Sequence, residues 1–192
     1  MSKIMIIMGS PSDEPKVAPS IKFLKGFILA VEAQAYPDES KLLGMEIRCL
    51  SSHRNPAGVD ELIRDIKVNN QLAEENYIDD NRIDAIVACA GMAAFLPAYI
   101  ASKTDIPVIG VPLSGSALSG FDALCSIAQS PPGVPIVSTA IDGVENGILS
   151  ALRIIGIKNP YVRKQLNTEQ ALLANKNEKA DKEIAEHYNT TS

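Results

Sequence analysis

The sequence predicts a doubly wound α/β domain: a five-stranded parallel sheet with helices on both faces, followed by a helical tail. Three observations carry that prediction. Five short apolar runs rich in Ile and Val recur along the chain, several lack the alternation of a half-exposed strand, and the segments between them repeat apolar residues at helical spacing. The chain has 192 residues, 46% of them hydrophobic, which suits one domain with a full core better than two. Residues 1–158 are expected to form that domain, and 159–192 a helical extension whose end is free to fray.

Taken in order, the runs are KIMIIM (3–8), MEIRCL (45–50), DAIVACA (84–90), IPVIGVP (106–112) and VPIVSTAI (134–141). Between them, Val17, Ile21, Leu24 and Ile28 form one apolar stripe, Val59, Leu62, Ile63 and Ile66 a second, and Val144, Ile148, Leu152 and Ile155 a third. Each stripe covers the sheet with one helix face. Strand and helix alternate five times, so the crossovers are right-handed. Pro15 suits a first helical turn, but Pro19 removes a backbone donor one turn later, which predicts a kinked or late-starting first helix. Residues 161–188 read as a polar helix with Val162, Leu166 and Leu173 thinly spaced. Such a helix cannot offset its ordering entropy alone, so it is expected to dock on a neighbouring subunit up to about residue 174 or to fray.

Composition excludes several functions. The formal charge of -5 and the scattered Lys and Arg offer no basic stripe for a nucleic acid. No apolar run approaches the roughly 18 residues of a membrane span, and the N-terminus lacks a signal-peptide pattern. Cys49, Cys89 and Cys125 stand singly in apolar runs without a CxxC spacing, which predicts buried, reduced thiols rather than a disulfide or zinc site. A soluble cytoplasmic protein is expected, with neither nucleic-acid nor membrane partners.

In an open α/β sheet, ligands bind beyond the carboxyl ends of the strands. After the first strand comes GSPSDEP, where Gly9 lets the chain turn and Ser10 and Ser12 place hydroxyls where helix-start amides collect, as a phosphate requires. Asp13 would repel a phosphate, so it is expected to meet sugar hydroxyls or to cap a helix. A capped turn with no ligand explains the same residues. After the second strand, SSHRNPAG carries His53 and Arg54. Imidazole, with an ordinary pKa of about 6.5, both gives and takes protons near neutrality, and a guanidinium grips anions in a fork. A solvated loop opening a helix after Asn55 and Pro56 is the alternative. After the third strand, Gly91, Ala93 and Ala94 are small enough to let a flat ring lie on the backbone, or to pack a tight strand-to-helix turn. The Ser- and Gly-rich segment 112–124 reads as a cover over the pocket or as an ordinary linker.

Together these motifs resemble the PurE family. MGSPSD (8–13), SSHRNP (51–56), AGMAAFLP (90–97), the segment from 107 to 136 and the Glu145–Asn146 pair carry the resemblance, which spans residues 3 to about 155. It implies a flavodoxin-like three-layer sandwich, a homo-octamer with sites near subunit junctions, and 5-(carboxyamino)imidazole ribonucleotide mutase activity in purine biosynthesis. No metal or organic cofactor is implied. The resemblance assigns the ribonucleotide to Ser10, Ser12, Asp13, Ser51, Arg54, Gly91, Ala93 and Ala94, and proton transfer to His53. A carboxylase taking CO2 directly and a nucleotide-binding paralogue without catalysis are the alternatives.

Two departures stand out. Phe95 and Ala98 occupy positions where the family has histidine and glycine, and Phe95 can neither titrate nor donate a hydrogen bond. Segments 31–44 and 69–81 are longer than the family pattern. Both are expected to be peripheral.

Overall fold

The computed structural model describes residues 1–35, 41–75 and 82–189. Five parallel strands, β1 (Ser2–Met8), β2 (Leu43–Cys49), β3 (Ala85–Gly91), β4 (Val108–Leu113) and β5 (Val137–Ser138), lie in the order β2-β1-β3-β4-β5. This is the flavodoxin-like order, in which the strand sequence reverses at β1 and β3. Six helices join or follow them: α1 (Glu14–Glu32), α2 (Pro56–Glu74), α3 (Phe95–Ala101), α4 (Phe121–Ala128), α5 (Val144–Gly156) and α6 (Pro160–Asn189).

The period-2 geometry of a strand divides the core in two. Ile4, Ile6, Met8, Val87, Cys89, Ile109 and Val111 point toward α1 and α5, whereas Met5, Ile7, Ile86, Ala88, Ala90 and Val108 point toward α2, α3 and α4. Both faces are therefore apolar, which is why the central runs show no polar alternation. Each fully buried Ile or Val contributes about 1.5–3 kcal/mol of transfer free energy. The stripes on α2 and α5 are buried as predicted. On α1 the buried line is Val17, Ser20, Leu24, Phe27 and Val31, with Ile21 and Ile28 at its margin, so the helix is rotated from the predicted stripe.

Several expectations change. The first helix does not start late: α1 runs unbroken from Glu14 through Pro19, after a 3-10 turn over Pro11–Asp13. The fifth strand shrinks to two residues, because Pro135 has no amide to pair and the chain leaves the sheet after Thr139 N–H donates to the Gly110 carbonyl at 3.2 Å. Cys49 is exposed on the edge strand β2 and Cys125 is half-buried; only Cys89 is buried. The tail docks on its own chain. Asn159 Oδ1 accepts the amides of Tyr161 and Val162 at 3.1 and 3.2 Å, capping α6, and Val162, Gln165 and Leu166 pack back toward α5 and α1. Beyond these turns α6 is exposed, Leu173 included. Of the two lengthened segments, residues 36–40 and 76–81 lie outside the described residues. Their described flanks, at the ends of α1 and α2, sit on the edge of the sheet opposite the strand carboxyl ends.

Candidate active site

The four loops that follow β1 to β4 meet in one cleft of about 610 Å³ at the carboxyl edge of the sheet, and all but one of the sequence-predicted residues line it. Ser10, Ser12, Asp13, Ser51, His53, Arg54, Gly91 and Ala94 are brought together there. Ala93 does not line the cleft; its carbonyl accepts the Ser126 hydroxyl of α4 at 2.7 Å. A second cleft of about 590 Å³ lies at the opposite edge, around Met1, Lys41 and Asn159, and holds none of these residues.

The first loop is built by its own hydroxyls and carboxylate. The Ser10 amide donates to Asp13 Oδ2 at 2.9 Å, the Ser12 amide donates to Ser10 Oγ at 3.3 Å, and the two serine hydroxyls share a 2.8 Å hydrogen bond. This is a reciprocal cap. It realises the capping role expected of Asp13 and leaves both hydroxyls at the cleft. Burial raises the Asp13 carboxyl above its ordinary value, while the amides of Ser10 and Gly9 and the charges of Lys16 and Arg54 pull the other way. Gly9 is not needed for a left-handed turn: an added Cβ would meet only ordinary contacts, the nearest being Asp13 Oδ2 at 3.7 Å. Its carbonyl instead accepts Arg54 Nη2 at 3.2 Å.

Arg54 ties the second loop to the first. Its Nε and its backbone amide both donate to Ser51 Oγ, each at 3.3 Å. Asn55 then caps α2 by accepting the Gly58 amide at 3.0 Å, with Pro56 at the first helical position. His53 is exposed at the start of this turn and stacks on Phe95, with ring centroids 5.7 Å apart and planes 19° from parallel. The third loop is tight. Met92 has a φ of 55°, in the left-handed region that costs a non-glycine residue of order 1 kcal/mol or more. A Cβ on Gly91 would sit 3.3 Å from the Leu113 carbonyl, so close packing on β4 accounts for that glycine without a ligand.

Sequence reasoning missed a second group in the same cleft. Lys16, on the first turn of α1, donates to the Ser114 carbonyl at 2.6 Å and to the Ser114 hydroxyl, and lies 3.5 Å from Asp142 Oδ1. Asp142 also accepts the Ser114 amide at 2.9 Å and the Ser114 hydroxyl at 2.5 Å. Burial opposes its ionisation, but the Ser114 bonds and the Lys16 charge outweigh this and hold its carboxyl below the usual value. These contacts join α1, the segment after β4 and the segment after β5, and fix Asp142 at a left-handed φ of 57°. The sequence signal for this turn is the Asp-Gly pair at 142–143, just past the fifth apolar run. Of the segment 112–124, only residues 114–120 form the connection between β4 and α4, and Ser114, Gly115 and Ser116 of it line the cleft. Among the described residues no three His, Cys, Asp or Glu side chains are grouped to hold a metal ion.

The family model of AIR carboxylase matches residues 3–176. The N5-carboxyaminoimidazole ribonucleotide mutase of Pyrococcus abyssi is 39% identical over 166 residues, covering 86% of this chain and 80% of that one. The protein of the same name from Methanocaldococcus jannaschii is 34% identical, covering 96% and 99%. The crystal structure of Treponema denticola PurE superposes with a TM-score of 0.70 at 17% identity, over 96% of this chain and 99% of that one, a likeness of fold. With a match across nine-tenths of its length and relatives at this identity, the chain belongs to the AIR carboxylase family.

Proposed function

We propose that this chain is an N5-carboxyaminoimidazole ribonucleotide mutase of purine biosynthesis, an isomerase that moves a carboxylate from the exocyclic nitrogen to a ring carbon. The observation that carries the reading is similarity, over 86% and 96% of the chain, to two proteins of that name. The cleft supports it, because it gathers hydroxyls, a guanidinium and one imidazole around a space suited to a small ribonucleotide. Residues 1–158 are read as the catalytic unit and 159–192 as its helical extension.

In this reading Ser10, Ser12 and Arg54 hold the phosphate, Asp13 meets ribose hydroxyls, and Ser51 keeps the guanidinium aimed. The third loop, Gly91 and Ala94 included, lies along the imidazole ring. Protonated His53 gives its proton to the exocyclic nitrogen as the N–C bond breaks and CO2 departs. The ring carbon then attacks CO2, and the now neutral His53 takes the proton that this carbon loses. The proton returns to its donor, so the isomerisation balances. Enclosure matters as much as acid-base chemistry, since escaping CO2 wastes the turnover; residues 114–120 supply the cover.

The test is incubation of the purified protein with the carboxyamino ribonucleotide carrying a labelled carboxyl group, in unlabelled bicarbonate. Retention of label in the ring-carboxylated product is the expected outcome. Product formed only from aminoimidazole ribonucleotide and bicarbonate would make the chain a carboxylase, and binding without turnover would make it a non-catalytic paralogue. We further take the protein to act in the cytoplasm as a homo-octamer, a reading supported by the exposure of Leu118, Phe121 and Val137 on the single chain. Light scattering at eight times the chain mass is expected; the mass of one chain would overturn it.

A further inference from the structure

Among the described residues the imidazole of His53 is held by its stack on Phe95 alone. Among the described residues no hydrogen bond to its ring nitrogens is formed, and the side chain stands exposed on a loop with two free torsions. Its neighbour is the face of Phe95, 5.7 Å away and nearly parallel. Phe95 is itself only half-covered, at 43% exposure, so it does not serve as a core residue.

Behind Phe95 stands a series of contacts that fixes it. Phe95, Tyr99 and Lys103 follow at intervals of four along α3 and its C-terminal turn, which places them on one face. Tyr99 meets the Phe95 ring edge-on, with centroids 5.3 Å apart and planes at 62°. The Tyr99 hydroxyl donates to Asp60 Oδ1 of α2 at 2.9 Å. Lys103 Nζ lies 2.9 Å from the same oxygen and 4.6 Å above the Tyr99 ring. The Asp60 carboxyl, lowered by the hydrogen bonds from Lys103 and Tyr99, stays ionised across the neutral range. The column therefore runs from an ion pair on α2 and α3, through two aromatic rings, to the imidazole at the cleft.

We propose that Phe95 is the positioning residue for His53, and that Tyr99, anchored by Asp60 and Lys103, holds Phe95 in place. This rests on the reading of His53 as the proton carrier. The chemistry favours a ring over a polar partner at this place. A hydrogen-bonding neighbour would occupy one imidazole nitrogen and fix its tautomer, whereas the face of Phe95 limits rotation and leaves both nitrogens open to substrate. Offset aromatic pairs of this kind are worth roughly two- to tenfold in the population of the stacked arrangement, and that is the size of the effect on turnover.

The chain has two histidines, so the experiment is direct: the full-length protein is prepared with 13C at histidine Cε1, and His187→Asn assigns the two resonances. In Phe95→Leu, which keeps apolar volume but removes the ring, the His53 Cε1 proton is expected to lose its upfield ring-current shift. Turnover falls two- to tenfold while KM changes less than twofold, and Phe95→Tyr restores both the shift and the rate. Tyr99→Leu gives a smaller change in the same direction. An unchanged His53 resonance in Phe95→Leu overturns the proposal, as does an unchanged turnover when the resonance has moved. Full activity in His53→Asn would instead defeat the proton-carrier reading, and the resonance would still report whether the stack exists.

Discussion

Replacing Lys16 with Met severs the tether between α1 and the segment that follows β4, and the structure sets the size of the effect. The Lys16 and Asp142 side chains are 33% and 42% exposed, so their ion pair contributes less than about 1 kcal/mol. The two bonds that Lys16 donates to Ser114 add about 0.5–1.5 kcal/mol each before solvent competition. Discounted for that exposure, the sum is about 1.4 kcal/mol, or roughly tenfold in the population of the tethered segment. The assay follows the partition of the carboxyamino substrate between ring-carboxylated product and released aminoimidazole ribonucleotide. Lys16→Met should move this partition severalfold toward release with substrate affinity little changed. A partition equal to wild type would refute the role given to the tether. The sign of its pH dependence follows from Asp142. Its carboxyl is depressed in the folded chain, so its contribution is complete above the ordinary aspartate value of about 3.9 and is lost as pH falls through the lower native value. The stability difference between wild type and Lys16→Met should therefore hold from neutral pH to about 5 and shrink below about 4.

Three other outcomes follow from the same geometry. Arg54→Ala should weaken ribonucleotide affinity by about 2 kcal/mol, roughly thirtyfold in Kd by calorimetry, through loss of a charge-assisted contact and of the link to Gly9; an unchanged Kd removes Arg54 from the phosphate site. Burial raises the Asp13 carboxyl, so its ionised form costs folding free energy above that raised value and the cost disappears as pH falls. Asp13→Asn, which can still accept the Ser10 amide, should raise Tm at neutral pH while weakening ligand binding, and a lowered Tm would contradict the burial argument. Burial, with the Asp13 charge adding, pushes the Cys89 thiol up to about 12, so an alkylating reagent at neutral pH should modify Cys49 first and Cys89 only on unfolding, as read by mass spectrometry.

The fold was legible because its strands are buried on both faces. Runs such as DAIVACA can be accommodated only between two helical layers, and the stripes of α2 and α5 supply those layers. What misled was local. The fifth run is apolar, yet Pro135 and the turn at Asp142 leave room for two paired residues. Cys49 lies in an apolar run, but at the end of an edge strand whose last three residues are exposed. The α6 helix reads as polar because only its first turns touch the core, and the cap at Asn159 and the burial of Val162 are what attach it.

In the cleft, residues within contiguous motifs were legible, because GSPSD and SSHRN each build one turn from neighbouring residues. Lys16, Ser114 and Asp142 were not, since they meet across separations of up to 126 positions that no local pattern reveals. In the sequence Phe95 stands out only as a departure from the family pattern. Its stack on His53 depends on how α3 lies beside the second loop, which is a matter of packing.

The central claim is that His53 carries the proton while other groups hold the ribonucleotide. Its most direct measurement is the paired determination of substrate Kd and turnover in His53→Asn. The account predicts turnover reduced by at least about 10²-fold, the usual scale for removing a general acid-base group, with Kd within about threefold of wild type. Retained turnover, or a loss of binding as large as the loss of rate, would contradict it.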